Sequence, residues 1–575
     1  MSLILLPPET IVRIIRLLDP VDVKSVKMVC QYFKEIIADD LYLQYVLELD
    51  KSGYTVPRFI RKDLSYGEMI QAIQTHRNRW RRVELGDPKS IEVPDDFNTF
   101  AYGVYFLDGV KVRHLGTRTP DGNITSSLHF HQLPSFSKGT DYRFWVHQGL
   151  GFTPCSLAIQ PEIDLMALLE YCPPDEHIPD EYPDQVYRIH LRTMTSNEPH
   201  PLATISTPFL KITKHPWRGS GDLNPMTLYG RIIALRFIPG PYLPAFTPFI
   251  ILFDWIAGLE LGRVELKPYA GCSISFISEE YFVVAQGYKP KLSSAKHKYQ
   301  EGNLLVFHIP SSGKENQRVR HVATLTFPKL CNRQNELLLC LCGEASPIPN
   351  TAFWSTRAKP VPKVYELSRW NHLCLYYEAS NGRNPPRASG QRQWCFGKNL
   401  GASGLLYVSS QALLTLVIRC VDNEPALIPW ETWGNYAASL PVMDLPSAYM
   451  WGRKYAFLRY SANDSQLIIL DFIPRGLPAQ QSTEGENAAF MPPESMHDAY
   501  NPKSAPSLQL AVGKFLEPEA GKLDMRYRRT VISLENGKHH NLYVNGLQID
   551  DEHLVTAVEP PMGVTGSRFF SVYTI

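Results

Sequence analysis

His129 and His131 stand two apart in "LHFHQL", so on a strand their side chains share one face, as a two-histidine metal pair requires. No third ligand follows in a supporting pattern, and partly buried strand histidines are the commoner reading. "RGSGDLNP" (218–225) is glycine-rich like a loop that cradles phosphate, but no Lys-Ser or Lys-Thr pair follows it. "IDDEH" (549–553) gathers three acids and a His, a composition usual for a solvated turn, and "KHH" ending at His540 reads as an exposed turn between strands. Cys340 and Cys342 in "LLLCLC", with Cys331 nearby, read as small apolar residues of a buried strand rather than metal ligands. No Gly-x-Ser-x-Gly elbow is present. The sequence therefore nominates no catalytic residue, no metal site and no cofactor.

The bulk chemistry sets bounds on the class of protein. Of 575 residues, 44% are apolar and 20% charged, enough for a packed core in several domains. A net charge of +1 gives no reason to expect nucleic acid or a membrane surface as partner. The ten scattered cysteines form no disulfide framework, which fits a reducing compartment. "SLILL" is too short for a signal peptide and runs into Pro7 and Pro8. The most apolar inner stretch, "FTPFIILFDWIAG", is broken by Pro248 and Asp254. The expected location is cytoplasmic, nuclear or both, so the glycosylation-like triplets at Asn123 and Asn463 carry little weight.

Three zones must position whatever the chain binds. Residues 1–46 are helical: Pro7, Pro8 and Glu9 suit a helix start, and Ile11, Ile14, Ile15 and Leu18 follow helical spacing. Asp19 and Pro20 read as N-cap and first residue of a second segment, along which Val26, Val29, Cys30, Phe33 and Ile37 repeat the spacing. Residues 47–82 form a linker holding one more helix, from about Tyr66 to Arg82, with Met69, Ile73 and Trp80 on its apolar side. From Val83 to the end, short apolar runs alternate with Gly, Pro, Asn, Asp and Ser clusters, the pattern of strands and turns. Forty-six prolines fit that pattern better than a helical one. Two stretches, 379–403 and 474–506, read as excursions: the first as a solvated linker or a binding loop, the second as a mobile loop.

A faint repeat runs through the strand zone. "FIILFDW" (249–255), "NLLVFHI" (303–309) and "QLIILDF" (466–472) each end an apolar run near a polar residue, and "QVYRIHL" (185–191) is a looser copy. The spacing from Asp254 to His308 is 54 residues, and that from His308 to Asp471, 163, is close to three such periods. A period near fifty with several strands per unit predicts a β-propeller of about seven blades, six to eight, with "FFSVYTI" helping to close the ring. Two β-sandwiches with chance spacing are the alternative. The fold class is α+β multidomain: a small helical unit, a helical linker and a large all-β domain.

The helical unit raises its own question. About forty residues bury too little surface to stand alone, and Leu6, Val12, Leu17, Val21, Val23 and Met28 fall outside its two periodic faces. The excess is covered by the rest of the chain, as a helical cap, or by another protein.

The residues Leu6, Pro7, Glu9, Ile14, Ile15, Leu18, Asp19, Asp22, Val23, Val29, Cys30 and Phe33 fall without a gap on a family pattern, and the stretch resembles an F-box. "ADDLYLQYV" (38–46) resembles the family's closing segment, with Tyr42 where Trp is usual, Val23 replacing a Leu and Gln31 a basic residue. More loosely, "NRWRRVEL", "YGVYFLDG" and "LHFHQLPS" resemble large fungal F-box proteins with a propeller-like C-terminal half.

The resemblance implies docking on a Skp-type adaptor, and through it on a cullin, with Leu6, Pro7, Ile11, Ile14, Ile15, Leu18, Val23, Val26 and Phe33 as contacts, some of them, Phe33 first, serving the unit's own core. It implies a non-catalytic substrate-recruiting subunit of a ubiquitin ligase, the target protein being held by the β domain. The alternatives are an F-box scaffold acting outside any ligase, or a propeller hydrolase or sugar-binding protein with an unrelated helical cap.

Overall fold

Proline opens the first two helices. In the computed structural model, α1 (Pro8–Ile15) and α2 (Pro20–Val29) both begin at a residue whose fixed φ and missing N–H cost nothing in a first turn. The structure describes residues 5–82, 89–93, 99–122, 124–172, 185–212, 226–237, 248–266, 272–287, 302–310, 318–327, 336–342, 361–367, 372–380, 403–419, 425–434, 437–441, 448–451, 454–460, 465–473, 526–534, 543–559 and 568–574. Asp19 takes the N-cap position of α2, but its side chain makes no capping bond; its carbonyl accepts from Val23 N–H at 3.0 Å.

The single helical run read through Val26–Ile37 is two helices. Cys30 is extended (φ −159°) and splits it into α2 and α3 (Gln31–Asp39). Asp40 caps α4 (Leu41–Ser52) through Leu43 N–H at 2.9 Å, and Gly53, at φ 76°, ends it in the left-handed conformation that lacks a Cβ penalty. Ser65 and Glu68 form a reciprocal capping box at the start of α5 (Tyr66–Arg82), which buries Met69, Ile73 and Trp80 as its spacing predicts. None of the described helices is long and apolar enough to cross a membrane.

Among the described residues the strand zone forms seven sheets, here called blades, six of four antiparallel strands and one of five. The first comprises Thr99–Leu107, Val110–Arg118, Ile124–Gln132 and Arg143–Gln148; the second Pro154–Gln160, Leu165–Cys172, Gln185–Thr193 and Phe209–Ile212. The third comprises Met226–Tyr229, Ile232–Phe237, Phe249–Asp254 and Leu259–Glu265; the fourth Cys272–Phe276, Tyr281–Gln286, Asn303–His308 and Arg320–Thr326, with Ala426–Ile428 added in parallel at its edge. The fifth comprises Glu336–Cys342, His372–Ser380, Ser403–Ser409 and Ala437–Pro441; the sixth Ala448–Trp451, Lys454–Tyr460, Ser465–Ile473 and Arg526–Leu534. The seventh takes Tyr543–Ile549, His553–Glu559 and Arg568–Thr574 from the end of the chain and Lys89–Val93 from before the first blade.

Each blade packs on the next. Leu128 and Phe130 of the first meet Leu157 and Leu168 of the second; Leu169 and Ile189 meet Ile233 and Ile251 of the third; Ile250 and Leu252 meet Phe282 and Val284 of the fourth. Val306 and Leu325 meet Leu339 and Leu375 of the fifth, and the Tyr407 and Tyr455 rings, 5.8 Å apart, join fifth to sixth. Ala456 and Leu467 meet Leu547 and Leu554 of the seventh, whose Val555 and Phe570 return to Phe106 of the first. Among the described residues the seven sheets follow one another in propeller-like order, and a blade built from both ends of the β region packs the last sheet against the first.

The faint repeat has a structural meaning. "QVYRIHL", "FIILFDW", "NLLVFHI" and "QLIILDF" lie on the third strands of blades two, three, four and six, and "FFSVYTI" is the third strand of the seventh. The polar end of the run is anchored at Asp254, whose carboxylate accepts from Ile256 and Ala257 N–H at 3.1 and 3.0 Å and faces Arg231 at 3.3 Å. Cys340 and Cys342 lie in the first strand of the fifth blade. Residues 474–506, most of 379–403, "RGSGDLNP", "KHH", Cys331, Asn123 and Asn463 lie outside the described residues.

Candidate functional site

The helical unit has two apolar sides with different owners. Ile11, Ile15, Val23, Phe33, Ile37, Leu43 and Leu47 make a small core of their own, with Leu6, Leu18 and Val26 half-buried against it. Four of the residues expected as partner contacts, Ile11, Ile15, Val23 and Phe33, are therefore interior: the turn between α1 and α2 folds them inward onto α3 and α4. They shape the unit and present no surface. Pro7 is exposed and Ile14 is 36% exposed, so these two, with the open parts of Leu6, Leu18 and Val26, remain on offer.

The most exposed apolar residues were read from the sequence as excess surface or not remarked on, and were not among the expected contacts. Leu17 is 87% exposed, Met28 80% and Leu5 77%, with Val21 and Val29 also largely in solvent. Val21, Met28 and Val29 recur at seven- and eight-residue spacing along α2, one side of the helix, and Ile14 and Leu17 lie one turn apart. Leu17, Val21 and Met28 fell outside the predicted core faces, and that was the available signal. Around them the unit is braced by Arg16, which meets Asp40 at 2.7 Å and lies over the Tyr42 ring, and by a Lys24–Asp50 ion pair. Such a surface can bind apolar side chains, and none of its residues does acid–base chemistry.

The other end of the helical part is sealed. Tyr45, Val46 and Leu49 of α4 and Met69, Ile73 and Trp80 of α5 pack on Ala456, Leu467, Leu547, Ile549 and Leu554 of the sixth and seventh blades. At this seam the reading of "IDDEH" as a solvated turn is corrected: Asp550, Glu552 and His553 are buried, because linker and ring close over the turn. Asp550 accepts from the backbone N–H groups of Glu552 and His553 at 2.8 and 2.7 Å, and from His553 Nδ1 at 2.9 Å. His553 Nε2 lies 2.8 Å from the Pro134 carbonyl. Both ring nitrogens face acceptors, so both donate and the imidazole is cationic. Burial opposes that charge, yet Asp550 outweighs it and holds the His553 pKa above its ordinary value; reciprocally, burial raises Asp550 but His553 brings it below the usual range.

The neighbouring polar groups are also partnered. The Tyr54 hydroxyl lies 3.1 Å from His76 Nε2, Tyr365 donates to Glu552 at 3.1 Å, and Trp80 Nε1 donates to the Asp551 carbonyl at 2.6 Å. His131 shares a blade face with Lys111 and Arg113, and its Nδ1 is 3.1 Å from the Tyr142 hydroxyl. Burial first, then those two cations, push its pKa down to about 3. The His129–His131 pair thus sits in a positive field that opposes a metal ion.

The F-box-like family model matches residues 3–47, covering α1 to α3 and the start of α4. No curated protein sequence matches the chain. Among solved structures, the chain is similar to the beta-propeller domain of the Trilobed protease from Pyrococcus furiosus, at 10% identity and a TM-score of 0.38, covering 83% of this chain and 94% of that one. It is similar to the C-terminal WD40 domain of Sif2, at 10% identity and a TM-score of 0.32, covering 85% and 98%. It is similar to the WD40 domain of coronin from Toxoplasma gondii, at 10% identity and 0.32, covering 85% and 89%. The ring assignment rests on the sheet order and blade-to-blade packing above. Residues 3–47 thus carry an F-box-like domain, and among the described residues seven sheets in propeller-like order follow it.

Proposed function

We propose that the chain is the substrate-recruiting subunit of a Skp-cullin-F-box ubiquitin ligase. The observation that carries this reading is the division of the helical unit. Ring-facing α4 and α5 are buried, while Leu17, Val21, Met28 and Val29, together with Pro7 and Ile14, stay in solvent. A Skp-type adaptor would cover these side chains and link the chain to a cullin, while the propeller holds a target protein. The chain then contributes no reacting group. Holding a target lysine near a charged conjugating enzyme raises its effective concentration, and proximity supplies the rate. The test is reconstitution of the full chain with a purified Skp-type adaptor and the N-terminal part of a cullin. Wild type is expected to elute as a ternary complex, and the Leu17→Asp/Met28→Asp chain to elute alone with its fold intact. A wild-type chain that binds no adaptor would end this reading.

A further inference from the structure

One short segment touches more of the molecule than its length suggests. Residues 361–367 lie in sequence between the first two strands of the fifth blade. In a ring of seven, the first and second blades are the ones farthest from the fifth. Yet Lys363 Nζ lies 2.8 Å from Glu162, in the first turn of the second blade, and 3.4 Å from Asp108, in the first turn of the first. Val364 N–H donates to the Ser137 carbonyl of the first blade at 3.0 Å, and the Tyr365 hydroxyl reaches Glu552 of the seventh. The segment therefore crosses the ring.

On its other side the same segment holds the helical unit. The Tyr45 hydroxyl of α4 donates to the Val364 carbonyl at 2.6 Å. Lys363 N–H donates to the Phe59 carbonyl at 2.8 Å, and its carbonyl accepts from Arg61 N–H at 3.2 Å. Glu366 and Leu367 pair antiparallel with Thr55 and Tyr54, the short strand between α4 and α5, and the Tyr365 ring stacks against both Tyr54 and His76, which also touch each other. Lys363, Val364 and Tyr365 are all buried. Burial disfavours the Lys363 ammonium, but Asp108 and Glu162 more than offset this and raise its pKa, so it stays charged. Removing one partner of such a buried pair leaves the others uncompensated, so the segment holds only as a set.

We propose that residues 363–367 are a positioning clasp that fixes the direction of the helical unit against the ring. This rests on the reading of the chain as a recruiting subunit, because only then does that direction matter: it sets where a target on the propeller sits relative to the conjugating enzyme. With the packing of α4 and α5 alone the unit would stay attached but swing. With the clasp, ring and helices move as one body.

The experiment places donor and acceptor fluorophores at positions 13 and 125, both exposed, on the full-length chain and reads the distribution of distances between them. The variants are Lys363→Met with Tyr45→Phe, and separately Asp108→Asn, which weakens the same contact from the ring side and serves if the first pair does not fold. Wild type is expected to give one narrow distribution and each folded variant one that is at least about twice as broad, with affinity for a purified Skp-type adaptor unchanged. Distributions as narrow as wild type in folded variants overturn the clasp, whatever the ligase does. Broadened distributions in a chain that binds no adaptor leave the clasp standing and remove the recruiting role instead.

Discussion

Replacing Leu17 by Ala separates docking from folding. At 87% exposure this side chain contributes almost nothing to the folded chain, and its apolar surface is available to a partner. Leu→Ala removes about three carbons at roughly 0.8 kcal/mol each, and scaling by the exposed fraction gives about 2 kcal/mol, or about a thirtyfold rise in Kd. Ile11→Ala is the matched control, because Ile11 is sealed within the helical core. Its loss should cost about 2–5 kcal/mol of stability through transfer and cavity terms, with a binding defect only where the unit opens. The assay is calorimetric titration of each full-length variant with the Skp-type adaptor, paired with thermal unfolding followed at the helices. The reasoning is refuted if Leu17→Ala binds like wild type while Ile11→Ala loses affinity without losing stability, since the exposed and buried sides would then have been assigned the wrong way round.

Three further outcomes follow from the buried groups. Lys111 is buried over the Phe570 ring, 3.6 Å away, and burial, aided by Arg113, pushes its pKa down to about 7. The folded state thus disfavours its charge, a penalty fully present below about pH 7 and relieved as pH rises toward 10.5; Lys111→Met should stabilise the chain by a few kcal/mol at neutral pH and flatten the rise in denaturation midpoint between those values. For the Asp550–His553 pair the sign is opposite: the raised His553 pKa gives stability that is whole below pH 6.5 and fades as pH rises through its folded value, and Asp550→Asn should remove that slope in urea titrations at several pH values. Ile91→Asp, in the strand that the seventh blade takes from before the first, should cost about 3 kcal/mol or more and expose the first and seventh blades to proteolysis before the third.

What the sequence showed depended on how local the cause was. Helical spacing revealed Ile11 and Ile15, and Met69, Ile73 and Trp80, because a helix face is written within one or two turns. The repeat found the third strands because each lies deep in its blade and must be apolar along its length. Spacing could not show that Cys30 breaks a helix, since the apolar period continues across the break. Nor could it show that Val23 points inward while Val21 and Met28 point out, which depends on where α3 and α4 lie. The acids of "IDDEH" read as solvated because their cover, Ser137 and Tyr365, comes from hundreds of residues away. The clasp was invisible for the same reason: "KVYEL" (363–367) carries no local pattern, and its meaning lies in Glu162, Asp108, Tyr45 and Tyr54.

The most direct measurement is the hydrogen-exchange footprint of the full-length chain bound to a Skp-type adaptor. Protection confined to residues 5–41, greatest around Leu17, Val21, Met28 and Val29, with the blades exchanging as in the free chain, is the predicted result. Protection on the blades with the first two helices unchanged would contradict it.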